Sequence, residues 1–192
     1  MIEVRFHGRG GQGAVVASNV LAVACFFEGK HVQAFPAFGV ERRGAPVEAY
    51  TRIDVRKVVV RTNVYTPDHS VVLDPTLIEV VDVVRGLKPG GTLLLNTDKP
   101  PEAFLRFAAF RACTVDASRI AFRNRLGSRT HPIVNTAILG ALARATGVVG
   151  LEAVCQAIRQ EVPAQQEANV AAAREAFAGV AFALAASTEA AP

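Results

Sequence analysis

Ile2, Val4 and Phe6 alternate with Glu3 and Arg5, the two-residue period of a half-buried strand. The strand runs into Gly8-Arg9-Gly10-Gly11-Gln12-Gly13, and beyond this turn Val16, Val20, Val23, Ala24 and Phe27 recur at helical spacing. The order is therefore strand, glycine turn, helix. Gly29 ends that helix, where a left-handed residue costs little, and His31 to Phe35 supply a second short strand.

Pro36 to Pro46, reading PAFGVERRGAP, carries the local signals of a loop. Strand character returns from Val47 to Ile53, with Lys57 to Val60 expected to pair beside it as an inserted hairpin. Ser70 to Leu73 reads as a buried strand. Asp74-Pro75 then offers an N-cap oxygen and a proline at the first helical position, and Leu77, Val80, Val81 and Val84 predict a helix behind them. Lys88-Pro89-Gly90-Gly91 turns the chain into a strand over Thr92 to Asn96.

A further strand is expected over Arg111 to Val115, with Asp116 capping a short helix that ends near Gly127. From Thr130 onward the pattern is helical, and Gly147 and Pro163 divide it into helices at about 132–146, 149–162 and 165–186, the last rich in alanine. The expected fold is α/β, an open Rossmann-like sheet with a strand-GxGxxG-helix start, an inserted hairpin and a helical C-terminal part. The 192 residues suit one domain, placed at 1–187, with 188–192 as a flexible tail.

Charge changes this picture little. The 21 basic and 17 acidic residues give a net +4 without a long run of one sign, so nucleic acid is not an expected partner. Arginine gathers at Arg42, Arg43, Arg52, Arg56 and Arg61 and again from Arg119 to Arg129, which suits a small polyanion, an acidic partner or plain solvation. Cys25, Cys113 and Cys155 form no CxxC pair, so no iron-sulfur cluster is expected, and they read as buried free thiols in a reducing cytoplasm. The first residues read as a strand and not as a signal peptide. No apolar run is long enough to span a membrane.

Two segments carry candidate chemistry. Gly8, Gly10 and Gly13 match GxGxxG, a tight turn that lets N–H groups at a helix start face an anion. A dinucleotide site also needs a carboxylate about 20 residues on, and Gln33 to Phe35 offer none. That leaves a phosphate or pyrophosphate site, with Gly11 and Gln12 completing the loop, or a turn shaped only for packing. In ERRGAP, Arg42 and Arg43 supply forked donors suited to phosphate or carboxylate, or to a subunit contact. His7, His31, His69 and His131 have no metal-ligand spacing, and no nucleophile, base and orienting acid stand together, so catalysis by this chain alone is not expected.

GRGGQG, GVERRGAPVEAYTRID, PDHSVVLDPTL, LKPGGTLLLNT and HPIVNTAILGA, followed by GVVGLEAV and later EANVAAA, occur here in one order. Together they resemble the gamma subunit, or gamma domain, of the 2-oxoacid:ferredoxin oxidoreductase family, nearest its pyruvate, branched-chain oxoacid and arylglyoxylate branches. The resemblance implies a Rossmann-like domain beside alpha, beta and delta-type subunits that hold thiamine diphosphate, Mg and iron-sulfur clusters, none of them held by this chain alone. The assembly would oxidatively decarboxylate a 2-oxoacid, pass the acyl group to coenzyme A and send electrons to ferredoxin or another acceptor. Gly8, Gly10, Gly11, Gln12 and Gly13, with Arg42 and Arg43, are the matching positions for coenzyme A phosphates or for closure over the active site. Two rivals stand beside this reading: a free-standing nucleotide-binding oxidoreductase and a ligand-free structural adaptor.

Overall fold

Residues 1–37 and 43–183 are described by a computed structural model of the chain. Arg42 and the expected tail at 188–192 lie outside these residues. The alternating segment at the start forms β1 (Ile2–Arg9), and the periodic segment after the glycines forms α1 (Ala14–Phe27). β2 (His31–Pro36) and β3 (Pro46–Asp54) follow, then β4 (His69–Val72), β5 (Thr92–Asn96) and β6 (Arg111–Val115). Behind them come α2 (Ala117–Arg123), α3 (Ala137–Thr146), α4 (Leu151–Glu161), α5 (Gln166–Ala178) and a short β7 (Ala181–Phe182).

The strands form one sheet in the order β2-β3-β1-β4-β5-β6-β7. β1, β4, β5 and β6 run parallel, while β3 enters antiparallel between β1 and β2, and β7 closes the far side antiparallel to β6. The fold is thus the expected α/β sheet with a helical C-terminal part.

One face of the sheet carries Val4, Phe6, Ala49, Ile53, Val71, Leu94 and Cys113, all buried under α1 and the C-terminal helices in the main core. The other face has a smaller core around Val72, Leu77, Leu93 and Leu95. It also carries Arg5, His7 and Arg52, each about 1% exposed.

Four expected elements differ. The hairpin is β2 with β3, not β3 with Lys57–Val60: those residues form no strand, and the Val60 carbonyl accepts from Arg52 Nη1 at 3.3 Å. The helix expected after Asp74 is only a 3-10 turn, Pro75–Glu79. Its cap is real, since Thr76 N–H donates to Asp74 Oδ1 at 2.9 Å. Continuation fails in a run of β-branched valines, where Asp82 Oδ1 accepts from Val84 N–H and offers the backbone another partner.

The last helix stops at Ala178 instead of continuing to 186. Gly179 N–H closes onto Glu175 and Ala176, and the chain turns back so that Ala181 and Phe182 pair with Thr114 and Cys113. Covering the edge of β6 outweighs alanine's helix preference there. α3 also begins at Ala137, not near 132, and Pro132 to Asn135 ahead of it line the cleft described next.

Candidate functional site

β1 and β4 lie side by side and parallel, yet their following segments leave on opposite faces of the sheet. Such a divergence opens a crevice beyond the carboxyl ends of the strands. Here it is a cleft of about 790 Å³, walled by the glycine loop, Arg43-Gly44, the ends of β4 and β5, and the segment from Thr130 to Asn135.

The glycine loop is tied down on three sides. Gly10 N–H donates to the Ala45 carbonyl at 2.9 Å, and Gly44 N–H returns a bond to the Gly10 carbonyl at 3.1 Å, so the two expected site segments are physically joined. Gln12 uses both ends of its amide: Oε1 accepts from Arg9 N–H at 2.7 Å, and Nε2 donates to Asp74 Oδ2 at 2.8 Å. Arg9 Nε reaches the same Asp74 oxygen at 3.1 Å, while its Nη1 and Nη2 donate to the Gly44 carbonyl and Thr76 Oγ1.

Asp74 is the hub of this anchor. Burial pushes its carboxyl up, but hydrogen bonds from Thr76 and Gln12 and the charge of Arg9 outweigh that and hold it below the usual range. It stays ionised and satisfied, and it fixes the loop.

Gly13 caps α1 with φ 82°, a left-handed conformation that L side chains rarely adopt. Among the described residues, no acceptor meets the N–H groups of Gly13, Ala14 and Val15. These are the orphan donors of a helix start, and they carry its positive dipole end. Gly8 lies buried within β1, where a side chain would begin 3.1 Å from Ala14 Cβ.

The structure therefore brings Gly10, Gly11, Gln12, Gly13 and Arg43 together on one cleft. Gly8, buried in β1, does not line the cleft, and both ends of the Gln12 amide are spent on the scaffold. Several cleft residues carried no local signal. Asp74 is legible in the sequence only as a helix cap. Asn96, which bonds the Leu73 carbonyl and Ser118, was legible only as strand. His131 and Asn135 lie in a stretch read as helix, and only their proximity to the glycines in space reveals them.

No group of three or more His, Cys, Asp or Glu among the described residues is placed to hold a metal ion. The three thiols are buried, and burial pushes Cys25 up to about 12 and Cys113 up to about 11. Among the described residues, no helix is long and apolar enough to cross a membrane.

Fold and cleft define an α/β domain whose first helix starts at a cleft beyond the carboxyl ends of parallel strands. The family model for pyruvate ferredoxin/flavodoxin oxidoreductase matches residues 3–179, and the chain belongs to that family. It is 55% identical over 181 residues to the pyruvate/ketoisovalerate oxidoreductases common subunit gamma of Pyrococcus abyssi, covering 92% of this chain and 96% of that one. It is 51% identical over 159 residues to the pyruvate synthase subunit PorC of Methanosarcina barkeri, covering 83% and 85%. Among solved structures, the pyruvate oxidoreductase subunit PORC of Thermotoga maritima superposes with a TM-score of 0.80 at 40% identity, over 95% of this chain and 98% of that one.

Proposed function

We propose that this chain is the gamma-type subunit of a multi-subunit 2-oxoacid:acceptor oxidoreductase and supplies part of the wall that receives coenzyme A. The observation that carries this is the joined pair of segments, glycine loop and Arg43-Gly44, beside the N–H groups that begin α1 and meet no acceptor among the described residues. Backbone donors at a positive helix end with a forked cation beside them suit the phosphates of a nucleotide-type cosubstrate. The missing ribose-binding carboxylate argues against a dinucleotide, and the gamma-subunit relatives favour a partner-dependent enzyme.

In this reading the thiamine diphosphate, its Mg and the iron-sulfur clusters sit in alpha, beta and delta-type partners. They supply the decarboxylation of the 2-oxoacid, pyruvate or a branched-chain relative, and the transfer of two electrons to ferredoxin or another acceptor. This chain binds and orients the acyl acceptor. The whole of 1–187 works as one domain in a cytoplasmic, reducing setting, which suits its three free buried cysteines. The ligand-free adaptor keeps one observation in its favour, that Arg9 and Gln12 spend their side chains on the scaffold.

The test replaces Arg42 and Arg43 with alanine together in the assembled complex. Losing one charge-assisted hydrogen bond is worth about 1.5 to 3 kcal/mol, so the coenzyme A Michaelis constant rises roughly tenfold or more while the constant for the 2-oxoacid holds. An unchanged coenzyme A constant in an intact complex would overturn the ligand role. A complex that fell apart would assign the pair to a subunit interface.

A further inference from the structure

Asn135 ends the Thr130 to Asn135 wall of the cleft and stands against the start of α1. It is 9% exposed, yet its Oδ1 is buried without a hydrogen-bond partner. Its Nδ2 lies 2.6 Å, and its Cγ 3.2 Å, from the point where a side chain on Gly13 would begin. Nδ2 also has no acceptor among the described residues, although the neighbouring Thr136 hydroxyl is satisfied by Asn169 Oδ1 at 2.7 Å. Buried carboxamides are nearly always paired at both ends. Leaving one idle costs stability, and a hydrophobe of similar size would fill the space without that cost.

Gly13 and Asn135 line the same cleft, so the amide stands beside the start of α1, whose first N–H groups meet no acceptor among the described residues. Resting on the coenzyme A reading above, we infer that Asn135 is a positioning residue of the anion site at the start of α1, donating through Nδ2 to a phosphoryl oxygen that the helix N–H groups also bind. Its neutrality is part of the role. A carboxylate at this point would occupy the positive helix end as a built-in anion and exclude the ligand. The cleft's own carboxylate, Asp74, does not compete, because Arg9, Gln12 and Thr76 surround its oxygens. Gly13 belongs to the same device, since any side chain there would meet Asn135 Nδ2.

The experiment compares Asn135→Asp and Asn135→Ala in the full chain and in the assembled complex. Binding of inorganic pyrophosphate and of coenzyme A is titrated by calorimetry, and coenzyme A kinetics and melting temperature are followed beside them. Asn135→Ala removes one donor and weakens both ligands about tenfold. The near-isosteric Asn135→Asp weakens them roughly a hundredfold or more, because repulsion adds to the lost donor. In the complex, the coenzyme A Michaelis constant moves and the turnover number at saturation holds. A packing role gives the opposite order, with the truncation to Ala more harmful than Asp and melting temperature following it, and that order overturns the inference. Coenzyme A binding that ignores both variants also overturns it and leaves the coenzyme A reading standing. Pyrophosphate binding that depends on Asn135, with no binding of coenzyme A, upholds the anion site and removes the coenzyme A reading instead.

Discussion

The two faces of the sheet are covered by different kinds of chain. On one face α1, α3, α4 and α5 lie over Val4, Phe6, Ala49, Val71 and Leu94, and helices satisfy their own backbone groups. Apolar and small side chains are then sufficient, and this core is built largely from alanine, valine and leucine. On the other face the cover over β1 and β3 is irregular chain, near 55–66 and 80–86, whose carbonyls find no regular partner. Here the sheet supplies donors itself. Arg5 Nη2 donates to the Arg85 carbonyl, Ser70 Oγ to the Val83 carbonyl at 2.7 Å, and Arg52 to the carbonyls of Val60, Thr62 and Asn63. Irregular cover thus explains the buried arginines on a sheet whose opposite face has none.

Arg52 tests that reading most severely. Its Nε bonds Glu3 Oε1 at 2.8 Å, its guanidinium lies 5.1 Å from the centre of the Phe35 ring, and its two Nη groups hold the loop carbonyls. Arg52→Met keeps the stem but strands Glu3 and three carbonyls, so stability falls by about 3 to 5 kcal/mol in urea unfolding. The 55–66 segment should then become the earliest site of protease cleavage. A fall below about 1 kcal/mol would show that water serves these carbonyls as well as the arginine does.

The helical face breaks in another way. Gly140 of α3 packs against the backbone of α5, and a Cβ there would collide with the Ala173 carbonyl oxygen. Glycine to alanine within a helix ordinarily stabilises by about 1 kcal/mol. Gly140→Ala reverses that sign and costs about 3 kcal/mol, the upper part of the usual range for overpacking. A raised melting temperature would mean that α3 and α5 part without loss, and the contrast between the faces would weaken.

The same contrast governs what could be read from the sequence. β1, α1, β5, β6 and the Asp116 cap follow from period and capping alone, because each buries one face against regular neighbours. The 75–84 segment also shows helical spacing, yet its valines and Asp82 settle into turns that bury Leu77 and Val83 over the sheet. The β2–β3 hairpin differs from the expected one because nothing local says that a strand will insert beside β1. In the cleft, the glycines announced themselves by conformation. Asp74 and Asn135 did not, since each matters through a partner 60 or more residues away, Gln12 for the first and Gly13 for the second.

The smallest expected effect joins the irregularly covered face to the cleft. His7 stands one residue before Gly8, its carbonyl accepts from Leu73 N–H at 2.8 Å, and its ring is buried with Nε2 unpartnered. Burial lowers its pKa from 6.5 to about 4, with Glu48 opposing and Arg5 and Arg85 adding to the shift. The folded chain therefore resists a proton that the unfolded chain accepts. Stability is full above pH 6.5, falls as pH drops from 6.5 towards 4, and levels off below, for a total of about 2 to 3 kcal/mol. His69, also lowered by burial, titrates in the same direction and remains in the variant, so the difference between wild type and His7→Leu isolates His7. Denaturant midpoints for the two proteins should differ in slope between pH 6.5 and 4 and run parallel above pH 7. Parallel curves throughout would show that His7 takes its proton at an ordinary pH within the folded protein, and that water reaches this face beside the glycine loop.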